Sequence, residues 1–304
     1  MYGLITETVK NNKVFNYEAL ANAVNQTKIV NDIKARHLAS THKRLDVCAA
    51  EIASVLHLVP ELKVQDKVCL EIGCGWVLSY AVIYHLLGAK KIIATDITPM
   101  ANPARIFDAL HHSTTYVIRD VLAAFGEHEA IRDRLDHLLS IKNFDEQTLA
   151  DLGIIYQAPV DFAQGKFSEP VDFIYSRSTM NHLPRHLVEP ILQNLYDSLK
   201  PGGLMTHDIH LEDVKNFERA PFAFYEIPMQ EYLPEYDGLR GNRIRASQWE
   251  ELFNQVSGGN ARAYYHWKRK ASELPLIIDG AIKNNGKDDL RTSHVGIVTK
   301  RVAK

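Results

Sequence analysis

The 304-residue sequence predicts an α/β fold: a seven-stranded, mostly parallel sheet flanked by helices, with N-terminal helices ahead of it and a cap made by inserted segments. Three observations predict it. From Lys67 onward short apolar runs alternate with helical segments, the texture of parallel strands joined by crossover helices. The first of these runs passes directly into a turn carrying two glycines one residue apart, Gly73 and Gly75. Two stretches, about 101–150 and 211–246, are longer than a strand–helix connection requires.

Taken in order, residues 1–60 have helical spacing with few Gly or Pro. Ile52, Val55, Leu56 and Val59 share one face before Pro60 interrupts the run, so this part reads as a helical lead-in to a main domain over 61–304. Strands are expected at 68–72, 91–95, 154–159, 172–176 and 204–209, with later ones near 261–268 and 293–300. Between the first two, Leu78, Ala81, Val82, His85 and Leu86 make an i, i+3, i+4, i+7, i+8 stripe that lays a helix on the sheet. Pro184 suits the start of a helix reaching about Lys200, and Pro201-Gly202-Gly203 ends it. Residues 101–150 have helical charge patterning. The 211–246 stretch is rich in Pro and aromatics, including Phe217, Phe222, Phe224, Tyr225, Tyr232 and Tyr236, and both stretches are expected to cap one end of the sheet. A last helix begins near Ser247.

Composition narrows the function classes. Lys and Arg total 35 against 37 Asp and Glu, a formal charge of −2, so there is no global basic field for nucleic acid or an anionic membrane. The longest mostly apolar run, 76–89, is well short of the roughly 20 residues that cross a bilayer. The amino terminus lacks the pattern of a secretory signal, which gives a cytoplasmic expectation. Cys48, Cys69 and Cys74 have no CxxC spacing and read as reduced structural thiols.

The segment Glu71-Ile72-Gly73-Cys74-Gly75 is a buried strand, an acid and a glycine elbow leading into a helix. Glycines there let the backbone turn sharply and approach a small polar ligand, with N–H groups aimed toward it. The next strand ends in Asp96, where a carboxylate can accept both hydroxyl protons of a ribose. The third glycine of a dinucleotide fingerprint is replaced by Leu78, which weighs against hydride transfer.

This arrangement resembles the class I, Rossmann-like S-adenosylmethionine-dependent methyltransferases, in particular those acting on small molecules. Asp161-Phe162, the 172–176 strand with Met180-Asn181-His182-Leu183 behind it, and Leu199-Lys200-Pro201-Gly202-Gly203 extend the resemblance over roughly 65–210. One departure is Val77, where the family frequently has a further glycine. The resemblance implies S-adenosylmethionine as cofactor and a binding set of Glu71, Gly73, Cys74, Gly75, Asp96, Ile97, Asp161, Phe162 and Ser176, with Asp161 at the adenine amino group.

Methyl transfer is an in-line displacement, so the protein mainly positions the acceptor and removes a proton when the acceptor is a hydroxyl or ammonium. Ligands of such sheets sit at the carboxyl ends of strands, which directs attention to 176–182 and 207–210. His207, His210 and His182 are the candidate catalytic bases. Asp208, Arg243 and Arg245 are candidate acceptor-binding residues, the arginines as a fork for a carboxylate or phosphate. A divalent metal completed by Glu212 and Asp213 is considered and not favoured, so no metal ligand is assigned. The expected partner is a small-molecule acceptor methylated at oxygen or nitrogen, as in secondary-metabolite or sugar tailoring. Alternatives are carbon methylation of a keto acid and a catalytically silent nucleoside-binding scaffold. Neither nucleic acid nor a membrane is expected as a partner, and a homodimer is left open.

Overall fold

The computed structural model describes residues 44–302. The lead-in is represented there by α1 (Leu45–Leu58), and the rest of the expected N-terminal helices lies outside the described residues. The chain continues through β1 (Val68–Ile72), α2 (Ser79–Leu86), β2 (Lys91–Thr95), α3 (Arg105–His111), α4 (Thr115–Leu122), α5 (His128–Ser140), α6 (Glu146–Asp151) and β3 (Ile154–Gln157). The second half contains β4 (Val171–Arg177), α7 (Arg185–Ser198), β5 (Leu199–His210), α8 (Pro234–Arg240), α9 (Ala246–Ser257), β6 (Ala261–Lys268), α10 (Lys287–Leu290) and β7 (Thr292–Lys300).

The seven strands form one sheet in the order β3-β2-β1-β4-β5-β7-β6. β7 runs antiparallel to both β5 and β6, and the other pairings are parallel. The chain leaves β1 toward β2 and β3 on one side and returns through β4 on the other, so the crevice at the carboxyl ends of β1 and β4 is a topological switch point. The expected stop at Pro201-Gly202-Gly203 lies inside β5. There the register shifts between the Val171–Leu199 and Phe173–Leu204 pairs, because a proline in a ladder is tolerated only at a bulge or an edge.

Side chains alternate across the sheet and feed two cores. Cys69, Phe173, Tyr175 and Leu204 face a layer built from α1, α2 and the helices of 101–150. Leu70, Ile72, Ile174, Met205 and Ile209 face the layer of α7 and α9. The 101–150 stretch, expected to contribute to a cap, supplies helices to the first layer. Ile106, Leu110, Ile118, Leu122, Ile131 and Leu135 bury a narrow apolar stripe against α1 and α2, the nearest apolar surface open to them. Only the 211–246 stretch keeps a cluster of its own, in which Phe222, Phe224, Tyr225 and Tyr232 pack with Ile282. Among the described residues no helix is long and apolar enough to cross a membrane.

Candidate active site

At the end of β1 the backbone turns through positive φ at Gly73 (71°) and Gly75 (66°). The N–H groups of Gly73 and Cys74 both donate to the Thr95 carbonyl, at 2.9 Å each, which fastens the elbow to the tip of β2. A Cβ on Gly73 would lie 2.4 Å from Thr179 Oγ1, so this glycine is what lets the exit of β4 close against the elbow. A Cβ on Gly75 would meet nothing within 4 Å, leaving open space beside the loop. Leu78, at the third position of the fingerprint, is fully buried and holds the left-handed conformation (φ 57°, ψ 28°).

Asp96 joins this elbow directly. Its Oδ2 accepts the Gly75 N–H at 3.0 Å and its Oδ1 accepts the Thr98 N–H at 3.0 Å. The carboxylate is thereby fixed, and each oxygen keeps a lone pair for a hydroxyl donor. The neighbouring Ile97 is 64% exposed, an apolar platform on the tip of β2. Asp161 follows the cis Ala158–Pro159 bond, and its loop is tied to this tip by the Val160 N–H donating to the Asp96 carbonyl at 2.9 Å. An open cradle at Gly75, a fixed acid with free lone pairs and an exposed apolar side chain fit the nucleoside half of S-adenosylmethionine.

The other expected cofactor residues have different surroundings. Glu71 is buried and accepts the Tyr175 hydroxyl at 3.1 Å. Burial, with the charges of Glu71 and Asp96, pushes the Cys74 thiol up, so it stays protonated. Phe162 packs into the second core beside Phe167 instead of facing the elbow. Ser176 is likewise directed away from the cradle, its Oγ lying 2.8 Å from His207 Nδ1.

The acceptor-side histidines separate sharply. His207 is fully buried, packs on Phe253, and burial pulls its pKa down to about 3. A proton taken there would have no counter-charge, so His207 is a core residue and not a base. His182 sits in the 180–182 turn and donates from Nδ1 to the Gly238 carbonyl at 2.7 Å, anchoring α8. His210 is different: its Nε2 lies 2.7 Å from Glu212 Oε2, and Arg269 holds the other Glu212 oxygen at 2.5 Å. Burial raises the Glu212 pKa, but the His210 and Arg269 contacts outweigh it and keep the carboxylate ionised.

The two arginines expected to grip an acceptor are consumed by the fold. Arg245 is fully buried and donates to the carbonyls of Leu211, Asp289, Leu290 and Thr292. Arg243 donates to the carbonyls of Phe224 and Ile227 and stacks on Tyr232, 3.8 Å from the ring centre. A loop with no sheet partners needs its carbonyls satisfied, and guanidinium forks do that here. Asp208 instead faces the first core layer, bonded to Arg177, which also meets Glu51 Oε1 at 2.7 Å.

A family model described as a methyltransferase domain matches residues 41–258, well over half of the chain. The chain belongs to this methyltransferase family. Among solved structures it is similar to magnesium protoporphyrin IX methyltransferase from Synechocystis PCC 6803 with bound S-adenosylhomocysteine, at 10% identity, covering 90% of this chain and 94% of that one, TM-score 0.45. It is also similar to an S-adenosylmethionine-dependent methyltransferase from Mesorhizobium loti, at 13% identity, 82% and 98% coverage, TM-score 0.42. A third is the CurJ carbon methyltransferase, at 14% identity, 84% coverage of this chain and 55% of that one, TM-score 0.42. No curated protein matches the chain.

Several groups at the methyltransferase's rim escape sequence reasoning. His294 of β7 stacks on His210, ring centres 4.6 Å apart and planes 18° apart. The pairing register places it there, since His210 stands opposite His294 across the antiparallel β5–β7 ladder. Candidate ligand atoms of His210, Glu212 and His294 lie within 4.8 Å of one another. Rings stacked so nearly parallel direct their in-plane lone pairs side by side instead of onto one point, and Arg269 already occupies Glu212, so the trio suits proton handling better than a metal. Asp213, the other acid considered for a metal, is buried and bonded to Arg240. Asn181 is also buried, and its side-chain amide has no partner among the described residues while it lines a small cavity with His210 and Glu212.

Proposed function

We propose that this methyltransferase moves the methyl group of S-adenosylmethionine to a small-molecule acceptor at the carboxyl ends of β4 and β5, with His210 as the base. The observation that carries the cofactor half is the Asp96 carboxylate bonded to the Gly75 N–H at the tip of the elbow. When bound, the cofactor supplies a methyl carbon activated by a sulfonium. The residues of the chain do the rest: the elbow and Asp96 hold the nucleoside, Ile97 flanks its base, and the rim orients the acceptor. Glu212, ionised beside Arg269, accepts the Nε2–H of His210 and so leaves Nδ1 as the proton acceptor.

Supporting a small acceptor is the compact aromatic cluster of 211–246 beside the rim, in keeping with tailoring of a metabolite or sugar at oxygen or nitrogen. The keto-acid reading loses its support, because Arg243 and Arg245 are already engaged by backbone carbonyls. Calorimetric titration with S-adenosylhomocysteine tests the cofactor half, and absence of binding at high micromolar ligand defeats it. Labelled methyl donor incubated with metabolite extracts, and the product identified by mass, tests the acceptor half. Cofactor binding without transfer to any fraction points instead to a silent scaffold.

A further inference from the structure

Tyr156 of β3 belongs to no role assigned so far. It stands opposite Ala94 in the β2–β3 ladder, two residues before Asp96 on the same sheet face, and its half-buried side chain reaches the loop that follows β2. There the hydroxyl oxygen accepts two successive backbone N–H groups, Met100 at 3.0 Å and Ala101 at 3.3 Å. Those residues are the middle of a loop whose ends lie at the cofactor crevice. Thr98 N–H donates to Asp96 Oδ1, and Asn102 N–H donates at 2.9 Å to the carbonyl of Trp76, the residue after Gly75. With both lone pairs taken, the Tyr156 hydroxyl has only its hydrogen left to give, and that hydrogen has no acceptor among the described residues. Burial, aided by Cys74 and Asp96, outweighs the two amides and pushes the phenol up, so it stays protonated.

A ribose hydroxyl both donates and accepts. The Asp96 carboxylate can only accept, so it takes the hydrogens of the diol and leaves the diol oxygens in need of a donor. The elbow amides are already committed: those of Gly73 and Cys74 go to the Thr95 carbonyl, and those of Gly75 and Thr98 go to Asp96 itself. An O–H whose oxygen accepts two N–H bonds is polarised by them and becomes a stronger donor. We infer that Tyr156 is a specificity residue of the cofactor site: its hydroxyl donates to one of the ribose oxygens whose hydrogens Asp96 accepts, so that acid and phenol together read a vicinal diol. The inference rests on the cofactor half of the methyl-transfer reading. An acid alone takes any hydroxyl or ammonium; an acceptor beside a donor selects a group that is both.

The test is calorimetric titration of the full chain, as wild type and as Tyr156→Phe, with S-adenosylhomocysteine and with its 2′-deoxy and 3′-deoxy analogues. Removing the phenol oxygen also frees the Met100 and Ala101 amides and loosens their loop, but that cost falls on all three ligands alike. The loss of affinity for S-adenosylhomocysteine is expected to exceed the loss for one of the deoxy analogues by roughly three- to tenfold, the worth of one hydrogen bond between neutral groups. The same factor for all three ligands, no change included, overturns the inference and leaves Tyr156 a loop anchor. Wild-type protein that does not bind S-adenosylhomocysteine at high micromolar concentration removes the cofactor reading and this inference with it, so the two failures are told apart. Tyr156→3-fluorotyrosine keeps the shape and both amide contacts, and it decides the matter if Tyr156→Phe does not fold. Its more acidic phenol gives up its hydrogen sooner as pH rises, so affinity for S-adenosylhomocysteine is expected to fall at lower pH than in wild type; coincident pH profiles overturn the inference.

Discussion

Asp96→Asn isolates the contact on which the cofactor site depends. The wild-type carboxylate is an acceptor at both oxygens, receiving the Gly75 N–H on one and the Thr98 N–H on the other, each at 3.0 Å. Asparagine has the same shape but offers one acceptor oxygen and an amide that donates. Whichever way it turns, one backbone N–H faces another donor, and one ribose hydroxyl loses a charged acceptor. A hydrogen bond to a charged group contributes about 1.5–3 kcal/mol, so affinity for S-adenosylhomocysteine is expected to fall roughly ten- to hundred-and-fifty-fold. Stability is expected to fall separately by about 1–3 kcal/mol, since the backbone donor is left unsatisfied whether or not ligand is present. Calorimetry reports the first quantity and urea unfolding the second. Asp120→Asn, an exposed acid paired with Arg119 in α4, is expected to change neither. A folded Asp96→Asn protein that binds S-adenosylhomocysteine within twofold of wild type would refute the ribose assignment.

Three further expectations follow from the rim and the cores. His210→Asn and Glu212→Gln are each expected to slow turnover by about a hundredfold or more while leaving S-adenosylhomocysteine affinity unchanged; a weakened affinity at unchanged rate counts against the base assignment. Arg245→Met strands carbonyls at Leu211, Asp289 and Thr292 in the interior, and a loss of about 3–5 kcal/mol in urea unfolding is expected; a loss below 1 kcal/mol contradicts the account of that loop. Burial lowers the folded pKa of His207 to about 3, below that of the unfolded chain, so the unfolded state takes up the extra proton first as pH falls. Its share of stability is therefore intact above about pH 6.5 and is lost toward pH 3, at up to about 1.4 kcal/mol per pH unit. Substituting His207 with Asn is expected to flatten that slope, which denaturation at stepped pH measures.

Much of the fold was legible because its signals are local. The elbow, the strand periods and the β2 acid each sit within a few residues of one another, and the short apolar runs read as strands wherever Gly, Pro or an acid bounded them. Leu78 shows the limit of a motif read by letters: a bulky residue stands where glycine is expected, yet the backbone keeps the left-handed turn, because the fully buried side chain compensates for it. The 101–150 helices were visible as helices, but their destination was not. An amphipathic stripe says that a face will be buried and leaves open which apolar layer receives it.

The rim depended on distance in space. Period-two alternation put His207 and Asp208 on opposite faces of β5, and nothing local said which face would be closed by α9 and which would meet Arg177. Arg243 and Arg245 looked like an anion fork because guanidinium groups serve anions and carbonyls equally well, and only the folded cap supplied the carbonyls. His294 and Arg269 carry no mark in sequence; one meets His210 through an antiparallel register, the other meets Glu212 across a loop.

By itself, then, the order of residues determined the α/β alternation, the elbow and the acid at the tip of β2, since backbone dihedral preferences and apolar periodicity act over a few residues. Only tertiary structure decided which of the candidate histidines keeps a carboxylate partner, which arginines are spent on the backbone and which aspartate is taken up by Arg177. Those outcomes depend on desolvation and pairing among groups brought together from distant strands, and neither is defined until the sheet has closed against its helices.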